Sequence, residues 1–167
     1  MDPWLARQRG AFEALAGVAV SAWDGVEMAL RDDSPDGPLF TDPDVRFLQL
    51  GWLRLRSDSG DRTISTFQDD GWFGLRLEDI GRPTLDDCYG IFRWHTLDLV
   101  TGHIEAVKVV FDEGTLTRMT LTIDGHDLLL VAGEVYETRA GTREVHRLDE
   151  SVLVFTDPAE AEIVRWM

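Results

Sequence analysis

The sequence lacks the features that mark secreted, disulfide-stabilised and membrane-spanning proteins. Its single cysteine, Cys88, excludes an intramolecular disulfide framework. The longest apolar run, residues 128–133, is far shorter than the roughly 20 residues of a membrane span. Near the N-terminus, no basic segment precedes an apolar stretch of signal-peptide length. These absences predict a cytoplasmic protein that does not contact a membrane.

Basic residues are also scarce. The chain has 16 of them against 31 acidic residues, which gives a net charge of −15. The excess is spread evenly, since residues 1–90 hold 17 acids and 9 bases and residues 91–167 hold 14 and 7. Because binding to a phosphate backbone draws on Lys and Arg, this charge opposes direct contact with nucleic acid. It favours a basic protein partner and accelerates the encounter with one.

Length and composition predict a single α+β domain over residues 1–167, mainly an antiparallel sheet with an N-terminal helix and a short C-terminal helix. A proline in the first turn and an apolar side predict the first helix over residues 3–16. Asp157 as N-cap, Pro158 and Glu160 predict the start of the second helix. The strands between them are joined by links too short for parallel crossovers, so they must pair antiparallel.

Apolar periodicity places the strands, and turn residues separate them. The predicted strand over residues 45–56 changes its apolar face beside Gly51, which indicates a β-bulge or burial on both faces. Leu128 to Val135 is typical of a central strand covered on both faces. Asp69–Gly71 and Asp124–Gly125 predict hairpin turns, the second of type I′. The predicted strands are residues 18–23, 45–56, 63–68, 72–78, 91–97, 104–111, 116–123, 128–135, 145–148 and 152–155.

Other connections are predicted from glycine, proline and aspartate. Asp24–Gly25 predicts a turn after the first strand, and residues 26–30 fit either a returning strand or a helical turn. Residues 31–44 hold three prolines and predict a loop. Residues 81–90 predict a further connection.

No group of residues in the sequence meets the requirements of a catalytic or metal site. Cys88 precedes His95 by seven residues, but neighbouring acids oppose thiolate formation and no oxyanion turn surrounds the cysteine. The histidines lack metal-binding spacing, and a calcium-like loop starting at Asp32 has Pro43 where a closing glutamate is required. We therefore predict no catalytic residue, metal or cofactor. A site assembled across strands around His95, His103 or Cys88 stays open.

Acidic turns and tryptophans supply the candidate partner-binding residues. The candidates are Asp32, Asp33, Asp36, Asp69, Asp70 and Trp72. Trp52, Trp72 and Trp94 fall in or beside strands, which favours burial in the core. Trp4, Trp23 and Trp166 lie near the ends of elements, where an exposed ring can anchor a partner, although burial is favoured for these as well.

The C-terminal segments 128–136 and 148–155, LLLVAGEVY and LDESVLVF, resemble the end of small bacterial immunity-type proteins encoded beside polymorphic toxins. The resemblance implies an acidic α+β domain that neutralises a toxin by surface complementarity, and it implies no particular site residue. We therefore predict a non-enzymatic protein-binding module, an immunity protein for a basic toxin domain. The alternatives are a mimic of DNA charge that binds a nucleic-acid-handling protein, and a small-ligand-binding or enzymatic domain.

Overall fold

The computed structural model describes residues 3–32, 34–69, 71–79, 90–112 and 114–167. Those residues form two helices and nine strands, and the sheet is antiparallel throughout. The helices are α1 (Pro3–Glu13) and α2 (Pro158–Ile163), and the strands are β1 (Ala19–Met28), β2 (Leu48–Ser57), β3 (Arg62–Asp69), β4 (Trp72–Glu78), β5 (Phe92–Leu97), β6 (Gly102–Asp112), β7 (Thr115–Ile123), β8 (His126–Glu137) and β9 (Arg143–Phe155). The predicted antiparallel sheet flanked by two short helices is confirmed, whereas α+β describes so strand-rich a chain only loosely.

The strand pairings close on themselves. They run β1–β2–β9–β8–β7–β6 and return to β1, which makes a six-stranded ring, or small barrel. The β3–β4 hairpin is joined to β2, and β5 is joined to β1. The ring closes over a short contact between β6 and β1, where Ala19 pairs with His103 and Val20 with Gly102. The sequence did not predict this strand order.

The main core fills the inside of the ring, and a second apolar cluster lies on the outer side of β8 and β9. The predicted central strand, Leu128 to Val135, is confirmed as buried on both faces, because it contributes to both clusters. Its inner residues are Leu128, Leu130 and Ala132, and its outer ones are Leu129, Val131 and Val135. Residues from α1 and the β3–β4 hairpin complete the inner core, and residues from α2 complete the outer cluster.

The β8–β9 hairpin changes register halfway along its length. Ala132 pairs with Val152, but the next residue, Gly133, pairs with Arg147, so residues 148–151 bulge out of β9. The two strands predicted at 145–148 and 152–155 are therefore one interrupted strand. We call the part of the hairpin beyond the bulge, residues 133–147, the arm.

The arm lies against the ends of β1 and β2. Gln49 of β2 accepts a hydrogen bond from the backbone N–H of Val135 over 2.6 Å, and its amide nitrogen lies 3.4 Å from the carbonyl oxygen of Ala29. Arg31, just beyond β1, forms an ion pair with Glu137 of the arm at 3.1 Å. A fully buried glutamine whose amide satisfies backbone groups on two elements holds them in a fixed relation.

The turn predicted at Asp24–Gly25 is wrong, because β1 continues through it to Met28. Asp24 is buried and receives two hydrogen bonds from Arg54 of β2, at 2.7 and 2.8 Å. The hydrogen bond to Asp24 raises the pKa of Arg54 above its ordinary value. Gly25 permits a close approach, since a Cβ there would lie 2.6 Å from the carbonyl oxygen of Trp52. Residues 26–28 therefore extend the first strand, which neither of the two predictions for 26–30 anticipated.

Several local predictions are confirmed. The register between β1 and β2 slips at Gly51, as expected of the bulge, and the neighbouring Trp52 and Leu53 are buried on opposite faces. Asp124 and Gly125 both have positive φ, 44° and 78°, as a type I′ turn requires. Asp157 caps α2 by accepting a hydrogen bond from the backbone N–H of Ala159.

The tryptophans follow the predictions only in part. Trp52 and Trp23 are buried, and the indole N–H of Trp23 donates to the carbonyl oxygen of Val100 over 2.7 Å. Trp94 is 37% exposed, so its predicted place in the core is wrong. It lies on β5, which is attached to the ring through β1 and not enclosed by it.

Among the described residues, no helix is long and apolar enough to cross a membrane.

Candidate functional site

The structure places the predicted partner-binding residues in three different situations. Asp32 lines a cleft between the end of β1 and the arm. Asp36 is exposed in the loop after β1, where its backbone N–H donates to the hydroxyl of Ser34. Asp69 and Trp72 pair through their backbones at the tip of the β3–β4 hairpin. Asp33, Asp70 and the side chains of Asp69 and Trp72 lie outside the described part of the structure, as do Cys88 and all of the connection predicted at 81–90 except Gly90.

The cleft that contains Asp32 is lined by three acids, Asp32, Glu134 and Glu137, and by two arginines, Arg31 and Arg139, and we call it the acidic cleft. Its volume is about 550 Å³. Residues at the end of β1 form one wall, and residues from the first half of the arm form the other. The residues that define it are Met28–Asp32, Ile91, Glu134–Arg139 and Gly141.

Glu134 is the most strongly perturbed acid of this cleft. Its side chain projects from the start of the arm and is only 8% exposed. Burial, with the nearby charges of Glu150 and Asp149, raises its pKa to about 7, while a hydrogen bond from the Ser151 hydroxyl at 3.4 Å opposes the rise. The bulge in β9 supplies all three of those neighbours. Near neutral pH, Glu134 is therefore only partly ionised.

Tyr136 adds an aromatic surface to the same cleft. The ring is 41% exposed and makes an edge contact with His146, with centroids 5.0 Å apart. Its hydroxyl donates a hydrogen bond to the Asp149 carboxylate over 3.0 Å. Desolvation and the charge of Glu134 raise the pKa of Tyr136, so the phenol stays protonated and continues to donate. An exposed ring next to acceptor oxygens suits a group that is both cationic and flat.

A second cavity lies at one end of the ring, and we call it the mouth cavity. It has a volume of about 380 Å³ and is lined largely by apolar side chains from β2, β9 and the loops around them. Glu27 of β1 is the buried charged group on its wall, with a side chain only 3% exposed. Mouths of barrels are frequent sites for small ligands.

Glu27 is held in place by two residues of β5. The guanidinium of Arg93 contacts Oε2 of Glu27 through Nε at 2.8 Å and Nη2 at 2.7 Å. Nε2 of His95 lies 2.8 Å from the same oxygen. Because a carboxylate oxygen accepts, Nε2 of His95 carries the proton of that bond. The guanidinium of Arg93 also lies over the ring of Phe40, 4.2 Å from its centroid, so Arg93 contacts both Glu27 and Phe40.

The described residues contain no cluster of three or more His, Cys, Asp or Glu that could hold a metal ion. His95 does join a strand-assembled cluster, the arrangement that the sequence left open. His103 and His126 instead flank the Asp124 turn: the backbone N–H of His103 donates to the Asp124 carboxylate, and Nδ1 of His126 lies 3.1 Å from the Asp124 carbonyl oxygen. Neither histidine lines the acidic cleft or the mouth cavity.

A scan of protein-family models and searches of curated proteins and solved structures found no match to this chain. The resemblance of the C-terminal strands to immunity-type proteins therefore stays a prediction.

Sequence reasoning missed Glu27 and Glu134, the two acids on which the sites depend. Each has only apolar or small immediate neighbours, in Val26-Glu27-Met28 and Gly133-Glu134-Val135. Residues 26–30 were predicted only as a returning strand or a helical turn, so burial of Glu27 could not be expected. Glu134 lies within residues 128–135, which were predicted to be buried on both faces, and a charged residue there is costly unless a partner or a function retains it. That signal was present in the sequence but was hidden among 31 acidic residues.

Proposed function

We propose that the protein is a non-enzymatic binding module that takes a basic segment of a partner protein into the acidic cleft. The observation that carries this proposal is the position of Glu134, a buried carboxylate that lines the cleft with Asp149 and Glu150 close behind it. An incoming guanidinium or ammonium group relieves the repulsion among these acids, and it gains hydrogen bonds in a partly desolvated site.

The whole-molecule charge supports the same kind of partner. A net charge of −15 steers a basic protein toward the surface, and the cleft then offers it a specific position. Asp32 and Glu134 line one cleft and can receive a single inserted basic side chain, whereas a mimic of DNA requires a row of phosphate-like charges. We therefore rank a basic partner ahead of a DNA-charge mimic. In biological terms, the partner we expect is a basic toxin domain that the protein neutralises.

The proposal can be tested with short peptides in which Arg alternates with Gly. A matched peptide carries citrulline at each Arg position, which keeps the size and hydrogen-bonding shape of the side chain but removes its charge. Calorimetry should show that the Arg peptide binds and that the citrulline peptide does not. Complex formation should also release protons, because the bound cation lowers the pKa of Glu134. Repeating the titration in buffers of different ionisation enthalpy measures that release.

Variants locate the site. Glu134→Gln and Asp32→Asn should each weaken binding of the Arg peptide by about fivefold or more, since both side chains line the cleft. Asp58→Asn removes an exposed acid in the turn after β2 and should change affinity less than about twofold. Equal losses in all three variants would mean that binding follows net charge and not the cleft, which contradicts the proposal.

The immunity form of the proposal needs a cellular test. Coexpression with a toxin encoded by an adjacent gene should restore growth, and the Glu134→Gln/Asp32→Asn variant should not restore it. If no toxin gene lies nearby and a pull-down recovers no protein partner, the immunity role is ruled out even if the cleft binds peptides.

A further inference from the structure

The mouth cavity is independent of the acidic cleft, with which it shares no lining residue. Its volume of about 380 Å³ falls in the range of small-molecule sites, roughly 300–1,000 Å³. From its lining and its charges, we propose that the mouth cavity binds a small organic amine with an apolar body.

The apolar body of such a ligand matches the wall of the cavity. Side chains from the loop before β2, from β2 itself, from the segment after β5 and from β9 turn toward it. The apolar members of the lining are Phe40, Val45, Phe47, Leu48, Leu99 and Val154. Leu48, Leu99 and Val154 belong to or pack against the inner core of the ring, whereas Val45 and Phe47 pack against the outer cluster, so the cavity lies where the two apolar clusters meet.

We expect Oε1 of Glu27 to receive the hydrogen bond of the amine. Both Arg93 and His95 bind Oε2, and among the described residues no group donates a hydrogen bond to Oε1. The side chain of Glu27 lines the cavity, whereas Arg93 and His95 do not. An acceptor held in place by two donors and left open on one side is pre-organised for a donor on the ligand.

The remaining charges of the lining favour a cation over an anion. Arg46 is paired with Glu160 at 3.1 Å, and Asp42 is paired with Arg143 at 2.6 Å. Asp98 is exposed at the rim and, within the described ranges, has neither a hydrogen bond nor an ion pair. Since Arg93 already offsets the charge of Glu27, Asp98 supplies the uncompensated charge.

The experiment compares three probes of equal chain length, namely octylamine, octanol and octanoate, by ¹H–¹⁵N NMR titration. Octylamine should bind about tenfold or more tightly than octanoate, with octanol between them. The shifted amides should lie around Glu27, in the loop before β2, at the start of β2, in the segment after β5 and at the end of β9. Octanoate binding as tightly as octylamine would overturn the proposal, and so would shifts confined to the arm.

Variants separate this site from the acidic cleft. Asp98→Asn, at an exposed position that should not affect folding, should weaken octylamine binding about fivefold. Glu27→Gln should weaken it further and should leave octanol binding within about twofold. Glu134→Gln should leave octylamine binding unchanged while it weakens the Arg peptide, so one proposal can fail without the other. Octylamine binding that is insensitive to both Asp98→Asn and Glu27→Gln would exclude the mouth cavity as the site.

Discussion

At the scale of single residues, the buried acids explain more than the abundant exposed ones. The side chains of Asp24 and Glu27 lie on opposite faces of β1, and each accepts hydrogen bonds from an arginine on a neighbouring strand. Glu134 has only a long hydrogen bond from Ser151 and two acids as neighbours. Of these three, Glu134 is therefore the one whose ionisation opposes folding.

Glu134→Gln should flatten the dependence of stability on pH. The pKa of Glu134 is about 7 in the folded protein, against an ordinary value of 4.5. Between those values the folded state holds a proton that the unfolded state has lost, so the free energy of unfolding falls as pH rises through this window. Above the window the wild-type protein bears the full cost of the charge. Glutamine resembles the protonated acid, so the variant escapes that cost.

We expect the variant to match the wild type near the acidic end of the window and to exceed it by about 1–2 kcal/mol above the window, below the linkage limit of about 3 kcal/mol. Denaturant unfolding at several pH values measures this. Glu162→Gln, at an exposed position of α2, is the control and should follow the wild type at every pH. A variant less stable than the wild type at alkaline pH would show that the ionised carboxylate stabilises the fold.

At the scale of elements, the arm is the part that the sequence described least well. The apolar patterns of 145–148 and 152–155 were recognised, but the residues between them were not recognised as a bulge within one strand. Leu148 adopts φ 57° there, a conformation in which leucine is rare. The reason is tertiary, because the bulge makes the register change that lets the arm contact β1 and β2.

Gly133→Ala should disturb the start of the arm. A Cβ at this position would lie 2.6 Å from the carbonyl oxygen of His146 and 3.1 Å from Leu153 Cδ1, and the backbone oxygen cannot easily move away. We expect a loss of roughly 1–3 kcal/mol in the free energy of unfolding. Hydrogen exchange should show faster opening of the arm amides than of the ring.

Gly10→Ala provides the matched control for this substitution. Gly10 lies in α1 and a Cβ there meets nothing within 4 Å, so alanine should stabilise the protein by about 0.5–1 kcal/mol through helix propensity. If both variants change the free energy of unfolding by the same amount, close packing around Gly133 is not the reason for a glycine at that position.

At the scale of the whole molecule, closure of the ring and the net charge act against each other. The ring closes through a short contact, two residue pairs between β1 and β6 with two further backbone hydrogen bonds that join Gly17 and Val18 to Ile104, while 31 acidic residues repel one another across both halves of the chain. Repulsion of this kind disfavours the compact state and is screened by salt.

Raising NaCl from about 10 mM to about 500 mM should therefore raise the midpoint of thermal unfolding by roughly 3–6 °C. Calorimetry or circular dichroism measures the shift. KCl at equal concentration should act identically, because screening depends on ionic strength and not on the cation. A decrease in the midpoint would show that attractive ion pairs outweigh the repulsion, and a clear difference between the salts would point to a specific cation effect.

The sequence by itself determined the features that depend on neighbours along the chain. The type I′ turn at Asp124–Gly125, the Asp157 cap and the bulge at Gly51 follow from backbone preferences and local periodicity, and the structure has all three. The burial of Leu128 to Val135 on both faces was equally evident, because a strand that is apolar at nearly every position avoids water only when both of its faces are covered.

Only the tertiary structure decided how those elements meet. The continuation of β1 through Asp24 depends on Arg54, thirty residues away along the chain. Ring closure, the folded-back arm and the meeting of Glu27 with Arg93 all join residues distant in sequence. Local sequence patterns do not specify which distant segments pair. The free energy that favours one pairing over another comes from contacts that form only once the chain is compact. The two cavities are products of that selection.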